Sequence, residues 1–142
     1  MILLDTNVIS ALMRTHPDAI VVEWLDAERA PDIWTTTITV FEIQFGIGLL
    51  PAGRRRDALE LAARDLIERD LRGRVLPFDV PAARAAAALG AARQRRGRTV
   101  DVRDTQIAGI ALARRARLAT RNVRDFADLD VDVVDPWARA GR

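Results

Sequence analysis

Lysine and cysteine are both absent from this 142-residue chain, and histidine occurs once. Without cysteine there is no disulfide framework and no thiolate zinc site. Without lysine, a receiver-type phosphoacceptor lacks the ammonium group it needs beside its phosphoryl group. A lone histidine, His16, cannot supply a pair working as acid and base. Long apolar runs are missing too. None reaches the roughly 18 residues of a membrane span, and the longest, Ile38 to Leu50, is interrupted by Glu42 and Gln44. The start lacks the basic stretch and cleavage site of a secretory signal, so cytoplasmic residence is the expectation. No Gly-rich turn follows the first apolar run, which argues against a dinucleotide-binding fold.

What is present fits one soluble globular domain spanning residues 1–142, with 49% hydrophobic and 30% charged residues. All 22 basic residues are arginine, yet the net charge is only +2. Two local clusters stand out, Arg54-Arg55-Arg56 and Arg93, Arg95, Arg96 and Arg98. Guanidinium forks suit phosphate oxygens, so each cluster is either a nucleic-acid footprint or a solvated helix end.

Short apolar runs alternate with helical patterns. Strands are expected at Ile2–Asp5, Asp32–Thr36, Arg74–Asp79, Leu118–Arg121 and Val131–Val134. Helices are expected at Val8–Met13, Pro17–Glu28, Val40–Leu50 (capped by Thr37 or Thr39), Arg54–Leu71, Pro81–Arg96 and Val102–Ala116. The tail Asp135–Arg142 reads as surface, with Trp137 as its exposed aromatic, while Trp24 and Trp34 read as core. This alternation predicts an α/β fold, a parallel sheet of about five strands with helices on both faces. Asp5, Thr36, Asp79 and Arg121-Asn122 stand at strand ends, where such sheets place their chemistry.

Three acids lack a simple structural role. Asp5 is where the opening strand turns polar. Glu42 is the only charge between Asp32 and Arg54, and an unpaired buried carboxylate is expensive, so it reaches water, an arginine or a cation. Asp104 precedes Ile107, Ala108 and Ala111 by three, four and seven residues and so shares their inward face. Asp101 is better placed to cap that helix, and the Ala108-Gly109 pair is expected to bring Asp104 close to strand one. Three converging acids repel unless a cation lies among them. An all-oxygen ligand set points to a hard ion, Mg²⁺ or Mn²⁺, and hence to phosphodiester chemistry.

Taken in order, Met1-Ile2-Leu3-Leu4-Asp5-Thr6-Asn7-Val8-Ile9-Ser10, Ile38-Thr39-Val40-Phe41-Glu42-Ile43 with Gly46, Leu76-Pro77-Phe78-Asp79, Asp104-Thr105-Gln106-Ile107-Ala108, Leu118-Ala119-Thr120-Arg121-Asn122 and Asp135-Pro136-Trp137 resemble a PIN-domain ribonuclease. The likeness is to VapC-type toxins of the FitB-like group and covers nearly the whole chain. It implies a three-layer α/β/α PIN-like fold and an endoribonuclease dependent on Mg²⁺ or Mn²⁺, acting on tRNA or rRNA. It also implies a homodimer, or a higher assembly, held inactive by a cognate VapB- or FitA-like antitoxin. By position, Asp5, Glu42 and Asp104 match the family's metal-binding acids.

The fourth acidic position departs. Asn122 stands there without charge, which puts a firmly held second metal in doubt. Asp125 is either its substitute or an ordinary loop acid. Thr6 and Asn7 either support Asp5 or cap the next helix. Thr120 and Arg121 face the expected cleft, where Arg121 either clamps a phosphate or pairs with Glu42 or Asp79. Asp79 is expected to cap the helix at Pro81. Gly46 and Gly48 suggest close approach of another helix, across a dimer being one case. The rival function is a catalytically weak PIN-fold module that binds RNA or an antitoxin.

Overall fold

Residues 2 to 4 alternate between two cores. In the computed structural model, which describes residues 1–138, Ile2 and Leu4 face one apolar cluster and Leu3 faces the other. Successive side chains of a strand point to opposite faces. A strand buried on both faces, β1 (Ile2–Leu4), therefore reads as an unbroken apolar run. It lies at the centre of a five-stranded parallel sheet of order β3-β2-β1-β4-β5, with β2 at Ile33–Thr36, β3 at Val75–Leu76, β4 at Arg117–Ala119 and β5 at Val133–Val134. Register pairs Ile2 with Ile33 on one side and with Arg117 on the other.

Helices α1 (Thr6–Leu12), α2 (Ala19–Asp26), α3 (Thr37–Gly48) and α4 (Arg54–Asp65) supply Val8, Ile9, Val21, Ile43, Ile47 and Ala63 to the first cluster. Helices α5 (Val80–Arg95), α6 (Val102–Arg114) and α7 (Val123–Phe126) supply Ala82, Ile107, Ala108, Ile110, Ala111 and Phe126 to the second. The three-layer α/β/α arrangement follows. No helix among the described residues is long and apolar enough to cross a membrane.

The chain runs from β1 outward through β2 to β3, then returns to lay β4 and β5 on the opposite side. The connection after β1 enters α1 on one face, and that after β4 enters α7 on the other. Between the carboxyl ends of β1 and β4 the order reverses, and a crevice opens at such a switch point.

Several boundaries differ from the sequence reading, three of them at helix starts for a capping reason. Asp5 caps α1 by accepting from the Thr6 N–H, so that helix starts before Val8 and neither Thr6 nor Asn7 is its cap. Asp18, not Pro17, opens α2. Thr36 caps α3 through the Thr39 N–H, so the cap precedes both Thr37 and Thr39. The expected helix to Leu71 ends its α geometry at Asp65 and passes into a π turn, Leu66–Asp70. Helix α7, a single turn, has too few residues to show a period.

Asp79 does cap α5, accepting from the Ala82 N–H, and it also pairs with Arg114. It belongs to that helix end rather than to the crevice. Gly109 turns toward α5 instead of the sheet: a Cβ there would lie 2.6 Å from the Ala82 carbonyl oxygen. Gly46 and Gly48 have no neighbour within 4 Å of the same construction, so no helix of this chain closes on them. The tail is not all surface. Pro136 is buried and Trp137 half-buried, its indole N–H donating to Asp18 across 2.9 Å. The exposed aromatics are Phe41 and Phe45 on α3. The last four residues of the expected tail, 139–142, lie outside the described residues.

Candidate functional site

Asp5 sits at the floor of the crevice, 4% exposed. Its backbone N–H donates to the Ala119 carbonyl across 2.9 Å, which ties the end of β1 to the end of β4. One carboxylate oxygen accepts from the Thr6 N–H at 2.8 Å, and the other from the Thr120 hydroxyl at 2.7 Å and the Asn7 amide at 3.4 Å. Thr120 in turn accepts from the Asn7 side chain at 3.2 Å and the Asn122 N–H at 3.1 Å, which uses the full capacity of one hydroxyl. Burial raises the Asp5 pKa, the Thr120 and Thr6 hydrogen bonds oppose this, and the charge of Asp125 adds to the rise.

Glu42 comes from the second turn of α3, and Thr6 from the first residue of α1. Their tips meet: the Thr6 hydroxyl donates to Glu42 across 3.0 Å. Arg103 on α6 approaches the other Glu42 oxygen at 3.9 Å and lies over the rings of Phe41 and Phe45, 5.2 and 5.6 Å from their centroids. Of the fates open to Glu42, an arginine partner is the observed one. Burial first, and Asp5 among its neighbours, raise the Glu42 pKa against the pull of Thr6 and Arg103.

Asp104 lies in the first turn of α6, where Asp101 is the cap and accepts from its N–H at 2.9 Å. Its pKa is pushed up to about 7, by burial first and then by the charges of Asp101, Asp5, Asp125 and Glu42. Each of those charges belongs to an acid. Asp104 and Asp125 line a cleft of about 510 Å³ together with Asp101, Arg98 and Arg124. Glu42 and Thr6 open on a second groove, walled by Ile43, Ile47 and Leu59 with Arg14 and Arg55 at its rim. Asp5 lies between the two.

Asp5, Glu42 and Asp104 thus sense one another's charge, yet among the described residues no three His, Cys, Asp or Glu side chains are gathered closely enough to hold a metal ion outright. The donor chemistry itself, carboxylate oxygens with no sulfur or imidazole, fits a hard divalent cation. Asn122 is exposed and lines a shallow depression with Arg121, Arg124, Asp125 and Asp135, while Asp125, not Asn122, reaches the Asp104 cleft. Arg121 pairs with neither Glu42 nor Asp79; its guanidinium lies 4.9 Å from the centre of the Trp137 ring, and its N–H donates to Asn7.

Three participants escaped the sequence reading. Arg103 had no signal, since nothing in its surroundings marks it as the partner of Glu42. Asp101 was taken only as a cap, although its charge also reaches Asp104 and Glu42. Arg93 was placed in a surface basic cluster, yet it is buried. It had a signal: Ala82, Ala86, Leu89 and Arg93 recur at helical spacing, which puts Arg93 on the inward stripe of α5.

Known proteins of the same shape carry the same arrangement of elements. A family model described as PIN domain matches residues 2–132. The VapC ribonuclease Y4jK of Sinorhizobium fredii is 39% identical over 140 residues, 99% of this chain and 100% of that protein. Toxin FitB of Neisseria gonorrhoeae is 37% identical over 137 residues, 96% of this chain and 99% of that protein. Among solved structures, FitAB bound to an IR36 DNA fragment superposes with a TM-score of 0.89 at 36% identity, covering 100% of this chain and 99% of that one. With the matched span and the superposing fold in agreement, the chain belongs to the PIN domain family.

Proposed function

We propose that the protein is a divalent-metal-dependent endoribonuclease and the toxin of a toxin–antitoxin pair, working in the cytoplasm on tRNA or rRNA. The observation that carries this reading is the convergence of acids from three distant segments: Asp104 is half-buried beside Asp101, Asp5, Asp125 and Glu42, and burial first, then their charges, push its pKa up to about 7. A half-buried carboxyl so placed favours a cation, and the relatives named a VapC ribonuclease and a toxin support the same chemistry. The FitAB complex supports a VapB- or FitA-like antitoxin as partner, and the working unit proposed is a homodimer.

Asp5, Glu42 and Asp104 would hold Mg²⁺ or Mn²⁺, with Asp125 or Asn122 at the fourth position. The bound ion supplies Lewis acidity toward a water and offsets charge on the scissile phosphate. The chain does the rest. Thr120 and Asn7 orient Asp5, and Thr6 orients Glu42. Arg98 and Arg124 border the Asp104 cleft, where guanidinium groups receive the phosphates flanking the cut. With His16 exposed and alone, no histidine pair serves attack by the 2′-hydroxyl. In this reading water attacks phosphorus in line and gives up one proton, the bond to the 3′ oxygen breaks, and that oxygen takes up one proton, so that no net proton is gained or lost at the site. The products carry 5′-phosphate and 3′-hydroxyl ends.

The test is incubation of purified, antitoxin-free protein with total RNA in Mg²⁺ or in EDTA, followed by sequencing of the cut ends. Cleavage only with Mg²⁺, leaving 5′-phosphates, is expected. Ends in 2′,3′-cyclic phosphate would refute the water route. Intact RNA in Mg²⁺ would leave a module that binds RNA or antitoxin without cutting.

A further inference from the structure

The described residues bury two charged side chains, Asp5 and Arg93, the latter 6% exposed. Asp5 belongs to the acidic centre. Arg93, on the last turn of α5, takes no part in the chemistry above. Removing a guanidinium from water costs several kcal/mol and is repaid only by complete pairing. An apolar side chain at this place on the stripe of Ala82, Ala86 and Leu89 would carry no such cost.

All the Arg93 pairing goes to one short segment. Nε donates to Asp128 Oδ2 across 3.2 Å and Nη2 to Asp128 Oδ1 across 2.7 Å, a bidentate grip that fixes direction as well as distance. Nη2 also donates to the backbone carbonyl oxygen of Asp125. Arg98 adds a second guanidinium to Asp128 at 3.5 Å. The segment so held, Asp125 to Asp128, begins within α7 and runs past its end, and α7 is four residues with no side-chain cap at its start. One isolated helical turn does not hold its own shape in water. Phe126, buried in the second core cluster, anchors it on one side, and Arg93 anchors it on the other. A staple from α5 to the following loop needs Asp128 alone. The bond to the Asp125 carbonyl fixes the residue whose carboxylate lines the cleft with Asp104.

We propose that Arg93 is a positioning residue for a fourth acid. By gripping Asp128 and the backbone of Asp125, it holds α7 so that the Asp125 carboxylate faces the Asp104 cleft and takes part in binding the cation, where Asn122 brings no charge. The proposal rests on the reading of the acids as a divalent-cation centre.

The experiment is calorimetric titration of the full chain with MnCl₂, without RNA, with thermal melting by circular dichroism to establish folding. Arg93→Lys keeps the charge and loses the fork. It and Asp125→Asn should each weaken Mn²⁺ binding by about 10-fold or more, the scale on which supporting partners of metal ligands act. The double variant should bind no more weakly than Asp125→Asn alone, because the effect of Arg93 passes through Asp125. A folded Arg93→Lys protein with wild-type affinity overturns the proposal. So do losses that multiply in the double variant. If Arg93→Lys does not fold, Asp128→Asn, alone and with Asp125→Asn, carries the same comparison. A wild-type chain that binds no Mn²⁺, with Asp5→Asn indistinguishable from it, removes the underlying reading and this proposal with it. A wild-type chain that binds Mn²⁺ through Asp5 while Arg93 is indifferent removes this proposal alone.

Discussion

The Thr120 hydroxyl donates to the Asp5 carboxylate across 2.7 Å, joining residues 115 apart in the chain. That bond spans the point where the sheet changes direction, and it is saturated from both sides. Thr120→Val keeps the volume and removes the hydroxyl, so Asp5 Oδ2, the Asn7 amide and the Asn122 N–H all lose a partner. The expected cost is about 1–3 kcal/mol of stability, with Mn²⁺ binding weaker by roughly 10-fold or more. Thr120→Ser should restore both. Urea unfolding and calorimetry check the pair, and an unaltered Val variant would contradict the role.

Asp104 makes stability fall as pH rises. Its folded pKa, about 7, lies above the ordinary 3.8. Between those values the folded state holds more protons than the unfolded, so the free energy of unfolding decreases with pH. The contribution is fully present below about 4 and lost as pH passes through about 7. Thermal melts in EDTA from pH 5 to 8 should show this decline, and Asp104→Asn should flatten it. Each kcal/mol of repulsion relieved raises Tm by about 2–4 °C in a chain of this size.

Divalent ions should reverse the trend. A cation binds the ionised carboxyls, so Mn²⁺ affinity rises with pH through 7, and the Tm gain from added Mn²⁺ is larger at pH 8 than at pH 6. Asp5→Asn and Asp104→Asn should remove both the gain and RNA cleavage while leaving the far-ultraviolet spectrum unchanged. Equal Tm gains at the two pH values would count against the centre.

Arg103 competes with any cation for Glu42. At 3.9 Å and half exposed, the pair contributes little to stability, about 1 kcal/mol at most. Arg103→Ala should therefore leave the melting temperature nearly unchanged and strengthen Mn²⁺ binding several-fold. Weaker binding in the alanine variant would show that Arg103 supports the site instead.

Two glycines should respond with opposite signs. Gly46→Ala enters open space on a helix and gains up to about 1 kcal/mol from helix propensity. Gly109→Ala drives a Cβ to 2.6 Å from the Ala82 carbonyl and the Ala86 Cβ. Its overpacking cost of about 1–3 kcal/mol outweighs the same gain. Urea midpoints of the two variants measure the difference.

How much of this was legible in the sequence follows from what burial leaves behind. The run at Ile2–Leu4 announced a strand covered on both faces, and Asp104 stood out because a charge on an apolar stripe needs a reason. The five parallel strands follow from the same alternation. Arg93 occupied a stripe position of the same kind but was masked by Arg95, Arg96 and Arg98, whose number suggested a surface. Pairwise contacts across the fold, such as Arg103 with Glu42 or Arg121 with Trp137, leave no periodic trace. Neither does a single turn such as α7. Cap positions differ by one to three residues because Asp5 and Thr36 each have another residue able to cap close by, and because Pro17, a favoured first helical residue, directly precedes Asp18.

Because the middle strand is the first to be synthesised while its neighbour β4 waits until residues 117–119, the crevice does not exist on a growing polypeptide. Asp5 leaves the ribosome before Thr120 and lacks that hydroxyl partner until β4 has followed it out. A truncated or stalled product ending before β4 carries Asp5, Glu42 and Asp104 but lacks the strand that ties to the end of β1. The acidic crevice is therefore assembled only once β4 has been synthesised, late in the order in which the sheet is built.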